Sequence, residues 1–261
     1  MHPVHPPVLS ILREAGRLIV SGAGRMRIVA ESVPGTPHPT SDLDREVDSL
    51  LHRGLPGLFG QDTAYFTEEH ADDPSRLRSS RILIVDPIDC TASLLHGHPE
   101  AVVSVAYWAD GDLRLAWVHH PFTGETFHAE RGAGAWVDGT RISVSAARPN
   151  PDIVMSRSEH RRGLLAPLAG VLDYRVVGSI ALKMALVAAG RADGTVTIHD
   201  RHEWDIAAGT FLVEEAGGRV TDGRGWTIRF NREVPIVRGL VVSNGAVHGR
   251  LVDAARRLEG T

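Results

Sequence analysis

The sequence predicts a mixed α/β fold, and three observations support this prediction. Residues 82–85 form an unbroken run of isoleucine, leucine and valine, which predicts a strand buried on both faces. Residues 101–145 hold short apolar runs separated by turn signals, which is typical of an antiparallel sheet. Beyond residue 148, strand-like runs alternate with helical patterns, which predicts an α/β half.

Composition excludes several classes of protein. The 261 residues are 43% hydrophobic and carry a formal net charge of −4, so nothing favours a nucleic acid polymer or a membrane as partner. The single cysteine cannot form an internal disulfide and fits a reducing compartment. The N-terminus lacks a signal-peptide pattern, and no apolar run approaches the roughly 18 residues of a membrane span. We therefore expect a cytoplasmic protein.

The N-terminal part predicts two helices and an intervening loop. Residues 8–19 follow helical spacing, and residues 25–39 contain three prolines and a glycine, which predicts an exposed loop. A second helix is predicted to begin near Ser41, which is suited to cap it. Asp42, Asp44 and Asp48 lie on this helix. Acids early in a helix ordinarily face water and favour the helix dipole, and an active-site role is the alternative.

The remaining elements follow from apolar runs and turn residues. A buried strand at 82–85 precedes a short helix from 91 to 97. Predicted strands of the first half are 101–108, 113–118, 125–130, 135–137 and 141–145. A boundary at 148–151 divides an N-terminal α+β half, 1–147, from a C-terminal α/β half, 148–261. The second half is predicted to contain strands 153–155, 174–177, 195–198 and 237–243. Its predicted helices are 161–172, interrupted by Pro167, and 180–189, 203–216 and 249–258.

The buried strand ends in Asp86 and Asp89, with Thr91 two residues later. Carboxylates at the end of a buried strand need a hydrogen-bond partner, an ion pair or a metal. Further acids stand at Asp44, at the pair Glu68 and Glu69, and at Asp205. Together they would suit two or three Mg²⁺ ions, which prefer a few carboxylates together with water and phosphate oxygens. Main-chain N–H groups at Cys90 and Thr91 would suit a phosphate.

Other chemistries fit less well. The residue six positions after Cys90 is His96, where a cysteine phosphatase needs arginine. The glycine-rich stretches at 22–24 and 132–134 lack the third glycine of a dinucleotide loop. Zinc is the remaining metal alternative. Its candidate ligands are His96, His98, His119 and His120. His199 and Asp200 resemble a metal dyad of phosphohydrolases, but they follow a strand and lack helical partners.

At this point the sequence resembles a known family. Residues 86–91, Asp-Pro-Ile-Asp-Cys-Thr, resemble the first signature of the inositol monophosphatase family, Asp-Pro-Ile-Asp-Gly-Thr. Residues 204–209, Trp-Asp-Ile-Ala-Ala-Gly, followed by Glu-Ala-Gly-Gly at 215–218, resemble its second signature. The resemblance extends from about residue 8 to about residue 250 and implies a layered α-β-α-β-α sandwich, an antiparallel-rich N-terminal sheet, lithium sensitivity and a homodimer.

The resemblance also implies roles for individual residues. The first Mg²⁺ would be held by Glu68, Asp86 and the carbonyl of Ile88, and the second by Asp86, Asp89 and Asp205. Glu69 would support a weakly held third ion. Asp44 and Thr91 would orient and deprotonate the attacking water.

Four positions qualify the resemblance. Ser41 and two leucines at 50 and 51 favour Asp44 over Asp42 as the water-activating acid. Cys90 replaces the usual glycine; cysteine is tolerated if φ is negative, and a small buried filler is its ordinary interpretation. Ile198 replaces a glutamate that inositol-specific members use to hold substrate hydroxyls. Lys183, within a stretch similar to the bacterial 3′(2′),5′-bisphosphate nucleotidases, either contacts a second phosphate or faces solvent.

The sequence therefore predicts a Mg²⁺-dependent phosphomonoesterase acting on a small polyol, sugar or nucleotide phosphate. Two alternatives remain open: a 3′(2′),5′-bisphosphate nucleotidase, and a non-catalytic regulatory or binding protein on the same fold.

Overall fold

A computed structural model describes residues 5–30 and 40–259. The described chain contains α-helices and β-strands in a mixed order. The helices are α1 (Pro6–Gly22), α2 (Asp42–Gly54), α3 (Pro56–Phe59), α4 (Thr91–Leu95), α5 (Arg157–Arg161), α6 (Ile180–Ala188), α7 (Glu203–Glu215) and α8 (His248–Glu259). The strands up to residue 142 are β1 (Ile28–Ala30), β2 (Thr40–Ser41), β3 (Ala64–Thr67), β4 (Arg81–Asp89), β5 (Val102–Ala109), β6 (Asp112–His119), β7 (Thr126–Glu130), β8 (Gly134–Val137) and β9 (Thr140–Ile142). The later strands are β10 (Ile153–Ser156), β11 (Tyr174–Val177), β12 (Gly194–Thr197), β13 (Arg201–His202), β14 (Arg219–Thr221), β15 (Ile236–Val237) and β16 (Leu240–Ser243).

Two large sheets form the framework. The first has seven strands in the order β3-β4-β5-β6-β7-β8-β9, and all its neighbours are antiparallel except β3 and β4. The second has five strands in the order β11-β10-β12-β16-β14, with parallel pairs at β10 and antiparallel pairs at β16. The mixture of parallel and antiparallel strand pairs, together with the helices, agrees with the predicted α/β class.

Three apolar clusters separate these sheets into layers. One cluster packs α1 and α2 against one face of the seven-stranded sheet, where Leu12 and Val47 meet Leu83. A second cluster holds α6 and α7 between the two sheets, where Phe211 is fully buried. A third packs α8, through Leu251, on the outer face of the five-stranded sheet. The resulting order of layers is α-β-α-β-α, as the family resemblance implied.

Most predicted elements are present, with ends shifted by a few residues. Both predicted hairpin turns adopt left-handed backbone angles, with φ of 52° at Asp110 and 88° at Gly111, and 47° at Asp138 and 80° at Gly139. Such angles are required by tight two-residue hairpins. No helix among the described residues is both long and apolar enough to cross a membrane.

Three predicted elements are wrong. The predicted interruption at Pro167 is present, but no α-helix spans either part of 161–172: α5 ends at Arg161, and a turn and a short 3₁₀ helix, Ala166–Leu168, follow it. The strand predicted for 237–243 is two strands in different sheets, β15 and β16, divided at Gly239, whose φ is 64°. The loop predicted for 25–39 contains β1, which pairs with β2, while residues 31–39 lie outside the described part of the chain.

Candidate active site

Strand β4 delivers two carboxylates to the interior. Asp86 is opposite Ser104 on β5 and Asp89 is opposite Val102, so β4 has an extra residue between them. Such a bulge redirects side chains, and Pro87 within it has no N–H to donate to the ladder. Asp86 Oδ1 accepts a hydrogen bond from the Ile88 amide at 3.0 Å. The bulge thus allows two acids three residues apart to lie at the same end of the sheet.

Asp89 connects this strand to the second half of the chain. Its Oδ2 accepts hydrogen bonds from Ser179 Oγ and from the amide of Ala181, each at 2.6 Å. Both donors stand at the beginning of α6, where Ser179 is the N-cap. Helix α6 therefore begins against the metal-ligand candidates of β4.

Helix α2 presents Asp44 to the same place. Ser41 and Asp44 form a reciprocal capping box, in which the Ser41 amide donates to Asp44 Oδ2 at 2.8 Å. The other carboxylate oxygen accepts from Thr91 Oγ1 at 2.7 Å, and Thr91 Oγ1 also lies 3.1 Å from the Ile88 carbonyl oxygen. Asp42, by contrast, is exposed and accepts from the Arg27 amide. The structure brings Asp44, and not Asp42, to Thr91.

The expectation that the early acids of α2 face water is wrong for two of them. Asp44 and Asp48 are buried instead of facing water. Asp48 accepts hydrogen bonds from Tyr65, Thr67 and His70. Its contacts anchor α2 to β3 and to the turn that follows β3.

That turn carries Glu68 and Glu69. Parallel pairing of β3 with β4 aligns Thr67 with Val85, which puts the two glutamates beside the end of β4. The pKa of Glu69 is raised to about 8 by burial and by the charges of Asp44 and Asp48. Its Oε2 is buried without a hydrogen-bond partner.

Asp205 completes the group from the second half. It occupies the first turn of α7, where its Oδ2 accepts a hydrogen bond from the His202 amide at 3.1 Å. Burial raises the pKa of Asp205 to about 7, while the charge of Arg201 opposes that rise. Helix α7 packs between the two sheets, so its N-terminus reaches the end of β4.

The charges of these acids raise one another's pKa values, so the acids form one electrostatic group. Burial raises the pKa of Asp86 well above its usual range, and the charges of Glu68, Asp89, Asp205 and Asp44 raise it further. The pKa of Glu68 is raised in the same way, by burial and then by Asp205 and its other acidic neighbours. Like charges gathered in a buried place require a cation or protons.

The chemistry of these donors fits a hard divalent cation. The donors are carboxylate oxygens with one backbone carbonyl, and neither a thiolate nor an imidazole is needed. Among residues 5–30 and 40–259, no three His, Cys, Asp or Glu side chains are arranged so that they could hold an ion as they stand. Several of these oxygens instead accept protein hydrogen bonds, including the two to Asp89 Oδ2.

Cys90 departs from expectation. Its φ is 85° and its ψ is 43°, a left-handed conformation, so the negative φ that would suit cysteine does not occur. This angle explains why glycine is suited to the position. Cys90 is half-buried, and its Sγ lies 2.9 Å from Ser93 Oγ.

Lys183, the zinc candidates and Ile198 have different surroundings. Lys183 is buried on α6, so the interpretation of a solvated helix residue is wrong. His119, one of the zinc candidates, contacts Thr126 Oγ1 through Nδ1, and His96 contacts the Ala92 carbonyl. Ile198 packs against the apolar cluster of α8.

A comparison of the whole sequence with family models decides the family. The model described as the inositol monophosphatase family matches residues 2–259. The chain belongs to the inositol monophosphatase family. Membership of this family supports a magnesium-dependent phosphatase.

Relatives of this family member carry different functional names. A fructose-1,6-bisphosphatase/inositol-1-monophosphatase of Thermotoga maritima is 33% identical over 94% of this chain and 92% of its own. A histidinol-phosphatase of Chlorobaculum parvum is 32% identical over 94% of both chains. The Nus factor SuhB of Escherichia coli is 31% identical over 86% of this chain and 87% of its own. Family membership thus leaves the substrate open.

Solved structures of the family share the fold. The Thermotoga maritima IMPase superposes with a TM-score of 0.81 at 29% identity, covering 97% of this chain and 96% of that one. The suhB protein of Bartonella henselae gives a TM-score of 0.81 at 28% identity, covering 97% and 98%. An IMPase/NADP phosphatase solved with Mg²⁺ and phosphate is 20% identical to this chain and shares the fold, with a TM-score of 0.81.

Sequence patterns did not identify every residue around the site. Glu159 is buried, Arg201 lies 3.9 Å from it and acts through its charge on Asp205, and neither belongs to a signature. The only local signal for Glu159 was its place three residues after Ser156, which caps α5. Arg201 gave no signal because its partner Glu159 is 42 residues away along the chain, and only folding brings the two together.

Proposed function

We propose that this protein is a Mg²⁺-dependent phosphomonoesterase that hydrolyses a small-molecule phosphate with an activated water. The observation that carries the proposal is the group of mutually repelling buried acids at the end of β4. A protein has little reason to collect such charges unless it binds cations there. Their position at element ends, facing one another from both halves, is suited to a polar substrate.

The proposed ligands follow the order of the acids. Glu68, Asp86 and the Ile88 carbonyl would hold a first ion, and Asp86, Asp89 and Asp205 a second. Glu69, whose Oε2 has no hydrogen-bond partner, would support a third and weaker one. When bound, Mg²⁺ would acidify the attacking water and offset negative charge on the phosphoryl group.

Asp44 and Thr91 are the proposed groups that handle the water proton. With Thr91 Oγ1 donating to Asp44 Oδ1 at 2.7 Å, the hydroxyl oxygen keeps its lone pairs for the water. Thr91 can then pass a proton to Asp44 as it accepts one. Burial raises the pKa of Asp44 although hydrogen bonds from Ser41 and Thr91 oppose the rise, and a raised pKa makes a better general base.

Cys90 and Thr91 are proposed to face the phosphate. They stand where β4 turns into α4, directly after Asp89. Main-chain N–H groups at such a turn favour an anion. Lys183, on the neighbouring helix α6, is the proposed contact for the rest of the substrate.

Phosphate release tests the proposal. The purified protein should release phosphate from members of a panel of inositol, sugar and nucleotide phosphates with Mg²⁺, and should stop when EDTA is added. Colorimetric assay of inorganic phosphate provides the measurement. No release from any member of the panel, with Mg²⁺ present and the protein folded, would contradict the enzyme.

A matched pair of variants tests the water-activating acid. Asp44→Asn should lower kcat by on the order of a hundredfold or more, because it removes the proton acceptor of Thr91. Asp42→Asn, two residues earlier on the exposed face, should retain most of the activity. Equal losses in the two variants would sink the assignment of Asp44.

A non-catalytic role is the second candidate. The similarity to proteins named Nus factor SuhB favours it, because that name describes no hydrolysis. The buried acids favour the enzyme, since a binding protein does not need them. Phosphate release in the assay above separates the two candidates.

A further inference from the structure

A buried arginine joins the segment that follows the glutamate pair to the loop that precedes β15. Arg76 is only 3% exposed. Its guanidinium donates to both carboxylate oxygens of Asp72, from Nε at 2.6 Å and from Nη2 at 2.8 Å. It also donates from Nη1 to Asn231 Oδ1 at 2.7 Å and from Nη2 to the Arg232 carbonyl at 2.8 Å. One buried side chain thus connects Arg76 to residues that are 155 and 156 positions away in the sequence.

Glu203 binds the same two residues through their amides. It is 0% exposed and is the first residue of α7. Its Oε2 accepts a hydrogen bond from the Asn231 amide at 2.7 Å, and its Oε1 accepts one from the Arg232 amide at 3.0 Å. Arg76 therefore holds oxygens of residues 231 and 232, while Glu203 holds their N–H groups. All four contacts are charge-assisted hydrogen bonds, which are stronger than those between neutral groups.

Aromatic contacts link the same parts of the chain. Arg76 Cζ lies 4.3 Å from the centre of the Phe66 ring, and the rings of Phe66 and Trp204 meet edge to face with their centres 5.0 Å apart. Phe66 lies on β3, two residues before Glu68, and Trp204 directly precedes Asp205. Both rings are buried. Contacts of these kinds depend on orientation, so they restrict how β3 and the start of α7 can move relative to each other.

The two ends of this network lie next to metal-ligand candidates from different halves of the chain. Glu68 precedes Asp72 by four residues, and Asp205 follows Glu203 by two. Glu68 is proposed for the first ion and Asp205 for the second, so the separation of these two carboxylates would set the spacing of the ions. Buried charges add little net stability, because the cost of desolvation offsets their attractions. The network is therefore better suited to fixing one arrangement than to stabilising the fold.

We propose that Arg76 and Glu203 are positioning residues for the metal site, and that by holding residues 231 and 232 between them they fix Glu68 relative to Asp205. This inference rests on the proposed phosphatase function and deepens it, because it gives roles to two residues that supply no ligand. Neither residue lies within the signature stretches at 86–91, 204–209 and 215–218.

Direct measurement of Mg²⁺ binding without substrate tests the inference. Arg76→Met removes the hydrogen bonds of the guanidinium, and Glu203→Gln removes one of the two acceptors for the amides. Each should raise the dissociation constant for Mg²⁺, measured by isothermal titration calorimetry, by roughly tenfold, as expected for residues that orient metal ligands. Arg76→Lys should regain part of the affinity, because it keeps the charge. Circular dichroism and Tm without Mg²⁺ establish that each variant is folded.

A combined variant and a milder one sharpen the measurement. Arg76→Met together with Glu203→Gln should raise the dissociation constant by less than the product of the single effects, because both act through residues 231 and 232. Asn231→Gly removes only a side-chain acceptor of Arg76 and suits the left-handed φ of 58° at that residue, so it should fold even where Arg76→Met does not. It should raise the dissociation constant by about threefold, the value of one hydrogen bond.

Asp193→Asn is the control for a loss of stability alone. Asp193 binds the Asp152 amide and Asn244 and takes no part in this network, so its variant should lower Tm and leave the dissociation constant for Mg²⁺ unchanged. An equal loss of affinity in this control would overturn the positioning role, because affinity would then follow stability.

The binding measurement also separates this inference from the proposed function. Folded variants of Arg76, Glu203 and Asn231 that bind Mg²⁺ as tightly as the parent protein would overturn the positioning role and leave the phosphatase standing. A parent protein that binds Mg²⁺ but releases no phosphate from any compound would contradict the phosphatase, while weaker binding in the variants would still support the positioning role. A parent protein that binds no Mg²⁺ would contradict both.

Discussion

Two aspartates with almost the same solvent exposure behave in opposite ways. Asp193 is 0% exposed and Asp86 is 1% exposed. Burial raises the pKa of Asp193, but hydrogen bonds from Ser145, the Asp152 amide and Arg148 outweigh it and hold that pKa below its usual range. For Asp86, burial and its acidic neighbours both raise the pKa. Low solvent exposure alone therefore does not indicate an active site, whereas like charges gathered in the interior favour one.

The difference lies in what each carboxylate accepts. Asp193 receives the Asp152 amide at 2.6 Å, Arg148 Nε at 2.8 Å to the nearer oxygen, and the Asn244 amide group at 3.2 Å. Through these contacts Asp193 holds the connection at residues 148–152 together with Asn244, the residue that follows β16. Asp86 receives one backbone amide, at 3.0 Å, and is otherwise surrounded by acids. The first acid is held by hydrogen bonds and an ion pair within the fold, whereas the second, under the proposed function, would keep its oxygens for a cation.

The largest expected effect tests the Asp86 side of this comparison. If Asp86 is the shared metal ligand that we propose, Asp86→Asn should lower kcat by on the order of a thousandfold, which corresponds to a loss of roughly 4 kcal/mol of transition-state stabilisation. The same variant should be more stable than the parent without Mg²⁺, by about 1–2 kcal/mol, because one repelling charge is gone. Phosphate assays and urea denaturation with EDTA measure the two effects. A variant that is both active and less stable would break the comparison.

Asp193→Asn is the matched test of the other side. It should lower the free energy of unfolding by about 2–4 kcal/mol, because it weakens several buried hydrogen bonds and the contact with Arg148. The activity of the remaining folded molecules should stay near that of the parent. Denaturant curves and kcat per folded molecule provide the measurement. A large loss of kcat with normal stability would show that Asp193 is not merely structural.

The pH dependence of stability should differ between acids whose pKa is raised by folding and acids whose pKa is lowered. Asp205, with a pKa of about 7, and Glu69, with a pKa of about 8, are raised by folding. Their protonated forms stabilise the folded protein at low pH, and this stabilisation is lost as pH rises through those values. Asp193, whose pKa is lowered, contributes stability that is lost only on acidification.

Thermal unfolding with EDTA should therefore show a lower Tm near pH 9 than near pH 6. Added Mg²⁺ should reduce that difference, because a bound cation offsets the ionised carboxylates. Asp193→Asn serves as the control, since it should leave the alkaline change in place. A Tm that does not fall between these pH values without Mg²⁺ would contradict the predicted protonation of the site.

The smallest expected effect concerns the backbone between the acids and α4. Cys90→Gly should stabilise the protein by about 1 kcal/mol, because glycine adopts a φ of 85° without the steric cost that cysteine incurs. Cys90→Ala, which keeps a Cβ, is the control and should bring no such gain. Urea denaturation measures both. Equal stabilities of the glycine and alanine variants would show that left-handed geometry is not costly here.

The helix that carries Asp44 and the strand that carries Asp86 were predictable because their signals are local. Ser41 and Asp44 predicted the start of α2 through capping, and the apolar run before Asp86 predicted β4. Of the elements that were predicted wrongly, the helix at 161–172 fails at a local signal, Pro167, whereas the strand at 237–243 depends on contacts distant in sequence. Gly239 divides the strand predicted for 237–243, because the chain turns there close to the Thr197 carbonyl and Gly223. Residues 237–243 contain the glycine, but they do not show which distant residues it approaches.

The sequence by itself determined the α/β class, the family resemblance and the acids at the element ends, because each depends on short-range spacing and residue type. Only the tertiary structure decided that Asp44 accepts a hydrogen bond from Thr91, that Cys90 is left-handed, and that Lys183 is buried. The physical reason is that burial and charge interaction depend on distances between segments, such as the 47 residues that separate Asp44 from Thr91. Those distances are set when the two sheets enclose α6 and α7.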